Sequence, residues 1–349
     1  MSTELALEKS SALTPSDATE LGNKVPNRVI WPIAGGKGGT GKSTLTANMG
    51  VALALLGYKV ILVDGDLGCA DLHLFFNQIA PPRSLSNFLS KDVETLRDVL
   101  LPTPSANLKI VCGGNEMVGL ANLPFMVKEK LLRHIKALDA DYILLDLGAG
   151  TSYNTLDFFS LSGQGIIVSN PEPQARVDAY GFLKNTVYRK LRRRFSKNED
   201  IRKGVIEQFV IGSGRKNGRL TDLLELIYAT SESAGVEAES MLRSFRPKLI
   251  LNRVRNKRQV EEAQRFVGLV NEYLSVEMEY VGYVRSATKI LDACESRRPL
   301  LIESPKSPSA RDVCSLVMKG LKVTDRLHRI TADRSKKMAD MAKAEAKFW

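Results

Sequence analysis

Gly36-Lys37-Gly38-Gly39-Thr40-Gly41-Lys42-Ser43 fits the pattern G-x-x-x-x-G-K-[ST]. An apolar run, residues 29–34, precedes it. A stretch with Leu45, Met49, Ala52, Leu53 and Leu56 on one helical face follows, with Gly57 as its stop. Strand, glycine-rich turn and helix, in that order, are the context a phosphate-binding loop requires. The glycines let backbone N–H groups converge on phosphate oxygens, and the helix adds its positive N-terminal end. The spacing predicts that Lys42 reaches the β- and γ-phosphates of a nucleotide and that the Ser43 hydroxyl ligates Mg2+. An incidental lysine in a glycine-rich turn would leave Ser43 and the following helix unaccounted for.

Outward from this loop, short apolar runs recur at residues 60–64, 108–112, 142–146, 165–169, 248–252 and 280–284. Most of the intervening segments are long enough for crossover helices. The expected fold is therefore α/β, a P-loop NTPase with a mostly parallel sheet and helices on both faces. Pro32 falls inside the first strand, where a missing N–H predicts a local irregularity. Residues 182–247 read as mainly helical. Leu223, Leu224, Ile227 and Tyr228, then Met241, Leu242 and Phe245, mark at least two amphipathic helices, and residues 212–218 read as a loop. The expected organisation is a flexible polar arm at 1–27, a P-loop domain at 28–322 with a basic helical insertion at about 185–247, and a helical tail at 323–349.

The run from Lys37 to Ser43, KGGTGKS, resembles the deviant Walker A motif of the MinD/ParA family of ATPases. In that family the first lysine reaches across a nucleotide-sandwich dimer to the partner's phosphates. The resemblance implies ATP and Mg2+ as cofactors, with Gly36 through Thr44 as the nucleotide loop. It also implies an ATP-dependent homodimer, with Lys37, Lys42 and Asp66 in catalytic roles. Asp64-Gly65-Asp66 resembles the family's D-x-D switch, in which Asp66 would orient the attacking water and Asp64 would support the Mg2+ shell. Residues 143–150 have the Walker B form, carrying Asp146 to the sheet edge and Gly148 to the γ-phosphate. Asn252 would read the adenine edge. Within the family, residues 146–157, 170–180 and 297–309 resemble the FlhG (FleN) branch of flagellar placement. Two departures are visible: the arm lacks that branch's Asp-Gln-Ala motif, and the helical region after Tyr188 is longer.

The formal charge is +11 over 349 residues, and it is concentrated. Residues 184–219 hold twelve basic side chains, Arg192-Arg193-Arg194 among them, against Glu199, Asp200 and Glu207. The segment suits non-specific DNA phosphates, or instead an acidic protein or anionic lipids. The tail, with Leu327, Ile330, Met338, Met341 and Phe348 beside Lys336, Lys337, Lys343 and Lys347, has the residue mix of a membrane-surface helix or of a protein-docking one. No run of 18 apolar residues and no signal-peptide pattern occurs, which predicts a cytoplasmic protein, peripheral at the membrane where the tail engages it. Cys69, Cys112, Cys294 and Cys314 form no CxxC pair, so free thiols are expected and a metallocluster carrier is disfavoured. Two functional readings remain. One is a dimerising ATPase switch with slow, partner-stimulated turnover that positions a cellular structure. The other is a nucleotide-binding regulator with negligible turnover that works through the basic segment.

Overall fold

The computed structural model describes residues 28–114, 123–213 and 219–324. The arm at 1–27 and residues 325–349 of the expected tail lie outside the described residues. The strands are β1 (Val29–Ala34), β2 (Val60–Gly65), β3 (Leu100–Pro102), β4 (Leu108–Val111), β5 (Tyr142–Leu147), β6 (Ile166–Ser169), β7 (Lys248–Val254) and β8 (Glu279–Arg285). They form one sheet in the order β3-β4-β2-β5-β1-β6-β7-β8. Every pairing is parallel except β3 with β4, an antiparallel edge of three residues. The seven predicted runs are the seven parallel strands, as the expected α/β fold requires.

The irregularity expected at Pro32 does not occur. Pro32 pairs with Leu145 in an unbroken register, and pairing with β6 begins only at Ile33 and Ile166. Pro32 therefore lies where β1 has a neighbour on one side only, the place where a missing N–H costs least.

The helices are α1 (Lys42–Leu55), α2 (Leu85–Leu89), α3 (Phe125–Lys136), α4 (Tyr153–Phe159), α5 (Pro173–Arg194) and α6 (Gln208–Ser213). They continue as α7 (Leu220–Thr230), α8 (Glu232–Arg243), α9 (Lys257–Leu274), α10 (Thr288–Glu295), α11 (Leu300–Glu303) and α12 (Pro308–Ser315). Strand alternation sends side chains into two cores. Val60, Leu62 and Leu144 meet Leu45, Met49, Leu301 and Val313 on the α1 side. Ile61, Val63 and Leu145 meet Leu131, Phe182, Leu223 and Leu242 on the other.

The expectation of a one-faced α1 is corrected: every residue from Leu45 to Leu56 is buried. The reason is that α11 and α12 pack over the side that the sheet leaves open. Gly57 does end the helix, with φ of 83°. The two amphipathic helices expected in the basic region are α7 and α8, and their apolar residues join the core that contains Phe182 and Leu249. Two boundaries differ from the sequence reading. α5 runs unbroken through residue 185 to Arg194, and α6 extends to Ser213, into the expected loop, whose residues 214–218 lie outside the described residues. Among the described residues no helix is long and apolar enough to cross a membrane.

Candidate nucleotide site

β1 sits mid-sheet, between β5 and β6, so its carboxyl end opens onto the crevice where parallel sheets bind ligands. The loop that leaves it is shaped by two close approaches. A Cβ on Gly36 would lie 2.2 Å from the Asp178 carbonyl carbon, so the loop lies directly on the backbone of α5. Gly41, the N-cap of α1, has φ of 89°, and a Cβ there would lie 2.2 Å from Asn252 Nδ2. The first turn of α1 carries no acidic side chain, which leaves its N–H groups open to an anion. Lys42 is buried, and so is Thr40, whose hydroxyl has no hydrogen-bond partner. Ser43 opens α1 beside it, and the Thr44 hydroxyl lies 4.0 Å from the Cys294 thiol. The four cysteines are free, Cys69 and Cys294 exposed, Cys112 and Cys314 buried.

Asp64 and Asp146 are register partners on β2 and β5, and alternation turns both toward α1. Asp64 is wholly buried and accepts from the Asp66 N–H at 3.2 Å and the Leu72 N–H at 3.1 Å. Burial, then the Asp146 carboxylate, holds it well above the usual carboxylate range. Burial pushes Asp146 up to about 7, against the opposing pull of Ser43, Lys42 and Thr46. Thr46 Oγ1 lies 3.2 Å from Asp146 Oδ1 and 2.9 Å from the Lys42 carbonyl. Cys112, buried near Asp64, is pushed up to about 12. Two buried carboxylates and a serine hydroxyl are hard oxygen donors. They fit Mg2+, which keeps several waters and takes one or two carboxylates plus substrate phosphates.

Asp66 Oδ1 accepts from the N–H groups of Gly68 at 3.1 Å and Cys69 at 3.0 Å. Its carboxylate lies against Gly148, where a Cβ would come within 3.0 Å of it. Gly38 and Gly39 complete the loop rim, Gly39 with φ of 73°. The fold thus brings Gly36–Thr44, Asp64, Asp66, Asp146 and Gly148 to one edge of the sheet.

Asn252 is brought there too, but its amide faces the loop. Nδ2 donates to the Thr40 carbonyl at 2.8 Å, and Oδ1 accepts from the Arg253 N–H at 2.9 Å. Beside it lies a cavity of about 470 Å³ lined by Gly41, Thr44, Asn48, Arg253, Thr288 and Leu291, of a size for a nucleotide base and sugar.

Lys37 points elsewhere than Lys42. Its ammonium pairs with Glu172 Oε2 at 2.9 Å, and both side chains remain partly exposed. Glu172 is the N-cap of α5, set there by Pro173 at the first helical position. The sequence reading quoted Glu172 within a motif but gave it no role. It also missed Thr46, although three residues after Ser43 is the same helical face.

The basic segment pairs with carboxylates of its own and with others from elsewhere in the chain. Arg192 pairs with Glu207 at 3.1 Å, Arg193 with Glu129 at 2.7 Å, and Arg194 with Glu237. Asp157, buried on α4, receives Arg189 at 2.8 Å, Arg193 at 3.2 Å and the buried Lys128. Burial alone would raise its pKa, but the hydrogen bonds and charges of Arg189 and Lys128 outweigh that and bring it to about 2.

Sheet order, loop and buried carboxylates together define a nucleotide-binding protein of the P-loop class with two lysines in its loop. The chain belongs to the family of CobQ/CobB/MinD/ParA nucleotide-binding domains, whose model matches residues 31–300. It is 31% identical over 167 residues to the antiactivator FleN of Pseudomonas aeruginosa, covering 47% of this chain and 58% of that protein. It is 32% identical over 174 residues to the flagellum site-determining protein YlxH of Helicobacter pylori, covering 45% and 53%. The chain thus spans little more than half the length of these relatives. In fold it is similar to the septum site-determining protein MinD of Pyrococcus horikoshii complexed with Mg-ADP. The TM-score is 0.57 at 23% identity, covering 86% of this chain and 99% of that one.

Proposed function

We propose that this chain is an ATP-dependent dimerising switch, a slow ATPase whose cycle positions or regulates a cellular structure, flagellar or polar. The observation that carries this reading is the division of labour between the two lysines. Lys42 is buried in the loop, while Lys37 stands at the rim on Glu172, free to be exchanged for phosphates of a second copy. The loop N–H groups and Lys42 bind the phosphate chain. Ser43 and Asp146, with Asp64 behind them, would hold Mg2+, which would neutralise phosphate charge. Asp66, fixed by two N–H groups, orients the attacking water. Loss of the γ-phosphate frees Gly148, and Asp66 moves with it, which resets the monomer. The cavity beside Asn252 receives the base. The tail on a membrane surface and an activating protein partner complete the cycle, in a cytoplasmic protein.

Two measurements test this. Sedimentation with Mg-ATP is expected to give a dimer that Mg-ADP does not, and Lys37→Ala is expected to abolish it. Phosphate release from Asp66→Ala is expected to fall about 100-fold with ATP binding retained. Equal turnover in wild type and Asp66→Ala would leave only a nucleotide-binding regulator.

A further inference from the structure

Some 31 Å along α5 from Glu172 lies a second cleft, between the ends of α3 and α5. Lys190, Arg193 and Arg194 share one face of α5 at i, i+3 and i+4, and Lys197 follows the end of that helix. Arg133 and Lys136, at i and i+3 on α3, line the opposite wall. Leu132, Leu161 and Met241 supply apolar lining. The cleft's volume is about 620 Å³, within the range of small-molecule sites.

Only two carboxylates, Glu129 and Asp157, line this space, and both are committed to the protein's own cations. Among the described residues, none of Arg133, Lys136, Lys190 and Lys197 has a carboxylate within 4.0 Å, the distance within which all the chain's ion pairs fall. Lys190 is the telling one. Its ammonium is half-buried over the Phe245 ring at 5.3 Å, and burial pulls its pKa down. A cation withdrawn from water without a counter-charge is unfavourable by itself. Cations near helix C-termini also serve the helix dipole, and α3 and α5 both end here. Two such ends amount to roughly one negative charge. Of the six basic side chains, Arg193 and Arg194 are paired, with Glu129, Asp157 and Glu237, and the other four still leave a positive excess beyond that.

We propose that this cleft binds a phosphorylated small molecule of about nucleotide size, separately from the P-loop. The groups converge on a concave volume with apolar lining. A DNA duplex would instead call for cations spread along an open stripe. The site stands whether or not the P-loop turns ATP over.

Calorimetric titration of the full chain with sodium pyrophosphate tests it, run on wild type, on Lys42→Ala and on Lys190→Gln/Lys197→Gln made in the Lys42→Ala background. Binding is expected to persist in Lys42→Ala and to weaken roughly tenfold or more in the double variant. A second variant on the other wall, Arg133→Gln, is expected to weaken it as well, and circular dichroism reports that each variant folds. Co-sedimentation with phosphatidylglycerol vesicles distinguishes the source. Recruitment that disappears in the double variant, alongside pyrophosphate binding, identifies a lipid headgroup. Pyrophosphate binding without recruitment identifies a soluble organic phosphate. Pyrophosphate affinity that is absent, or unchanged in both cleft variants, overturns the proposal, as does binding confined to a DNA duplex.

Discussion

Asp146 and Asp157 are both 2% exposed, yet burial leaves the first near 7 while the second sits near 2. The difference is the company each keeps. Asp146 has hydroxyls and one lysine around it and a second buried carboxylate, Asp64, beside it on the next strand. Asp157 has Lys128, Arg189 and Arg193. A buried charge that the chain leaves uncompensated belongs to a binding site, whereas one compensated three times over belongs to the architecture.

The comparison is broken most easily at Asp157. Asp157→Ala leaves Lys128 buried and unpaired and should cost about 3–5 kcal/mol, read as a lower urea midpoint at constant slope. A loss under about 1 kcal/mol would mean that the three cations find water or other carboxylates. Next in size is the acid limb. The folded pKa of Asp157, about 2, lies below its ordinary 3.8, so the unfolded chain takes up the proton first. The stabilisation is fully present above about pH 4 and is lost as the pH falls through 2. It should amount to about 2 kcal/mol, and Asp157→Asn should remove that slope from the stability–pH curve.

Asp146→Asn sharpens the other half. Without nucleotide it should raise stability by about 1 kcal/mol, since an uncompensated buried charge is removed. Mg2+-dependent nucleotide affinity, measured with a fluorescent ATP analogue, should fall in the same variant. A destabilised variant would show that the carboxylate is structural after all. The smallest effect is expected at Glu172→Gln. Its exposed pair with Lys37 is screened by solvent and contributes little, so the melting temperature should barely move, while Lys37 gains freedom.

The nucleotide half of this comparison was legible in the sequence because its determinants are local. Seven strands announce themselves as apolar runs, and Asp64 and Asp146 each end one. The loop glycines and Ser43 fall within eight residues. β3 escaped because three residues ending in Pro102 carry no alternation to read. The Asp157 cluster escaped for a different reason. Lys128, Asp157 and Arg189 come from three helices, and nothing short of the fold brings them together. The same holds for Arg193, whose partner Glu129 lies 64 residues away. A run of arginines shows in the sequence, but its acceptors do not. That is why the sequence shows only a run of cations, while in the fold, among the described residues, Arg189, Arg192, Arg193, Arg194, Arg202 and Lys203 are ion-paired and Lys190 and Lys197 are not. Asn252 shows a finer limit: its residue type suits a base edge, and only the fold shows the amide holding the Thr40 carbonyl.

The Lys37–Glu172 pair has a consequence for how the rim behaves between encounters. Solvent screens an exposed pair, so it holds its lysine only weakly. It cannot lock the lysine away, and thermal motion opens it continually. What it does is narrow the directions that a long, floppy side chain samples, and so lower the entropy lost when a stronger anion arrives. On the proposed reading, Glu172 is a placeholder that holds the ammonium at the rim until phosphate replaces carboxylate.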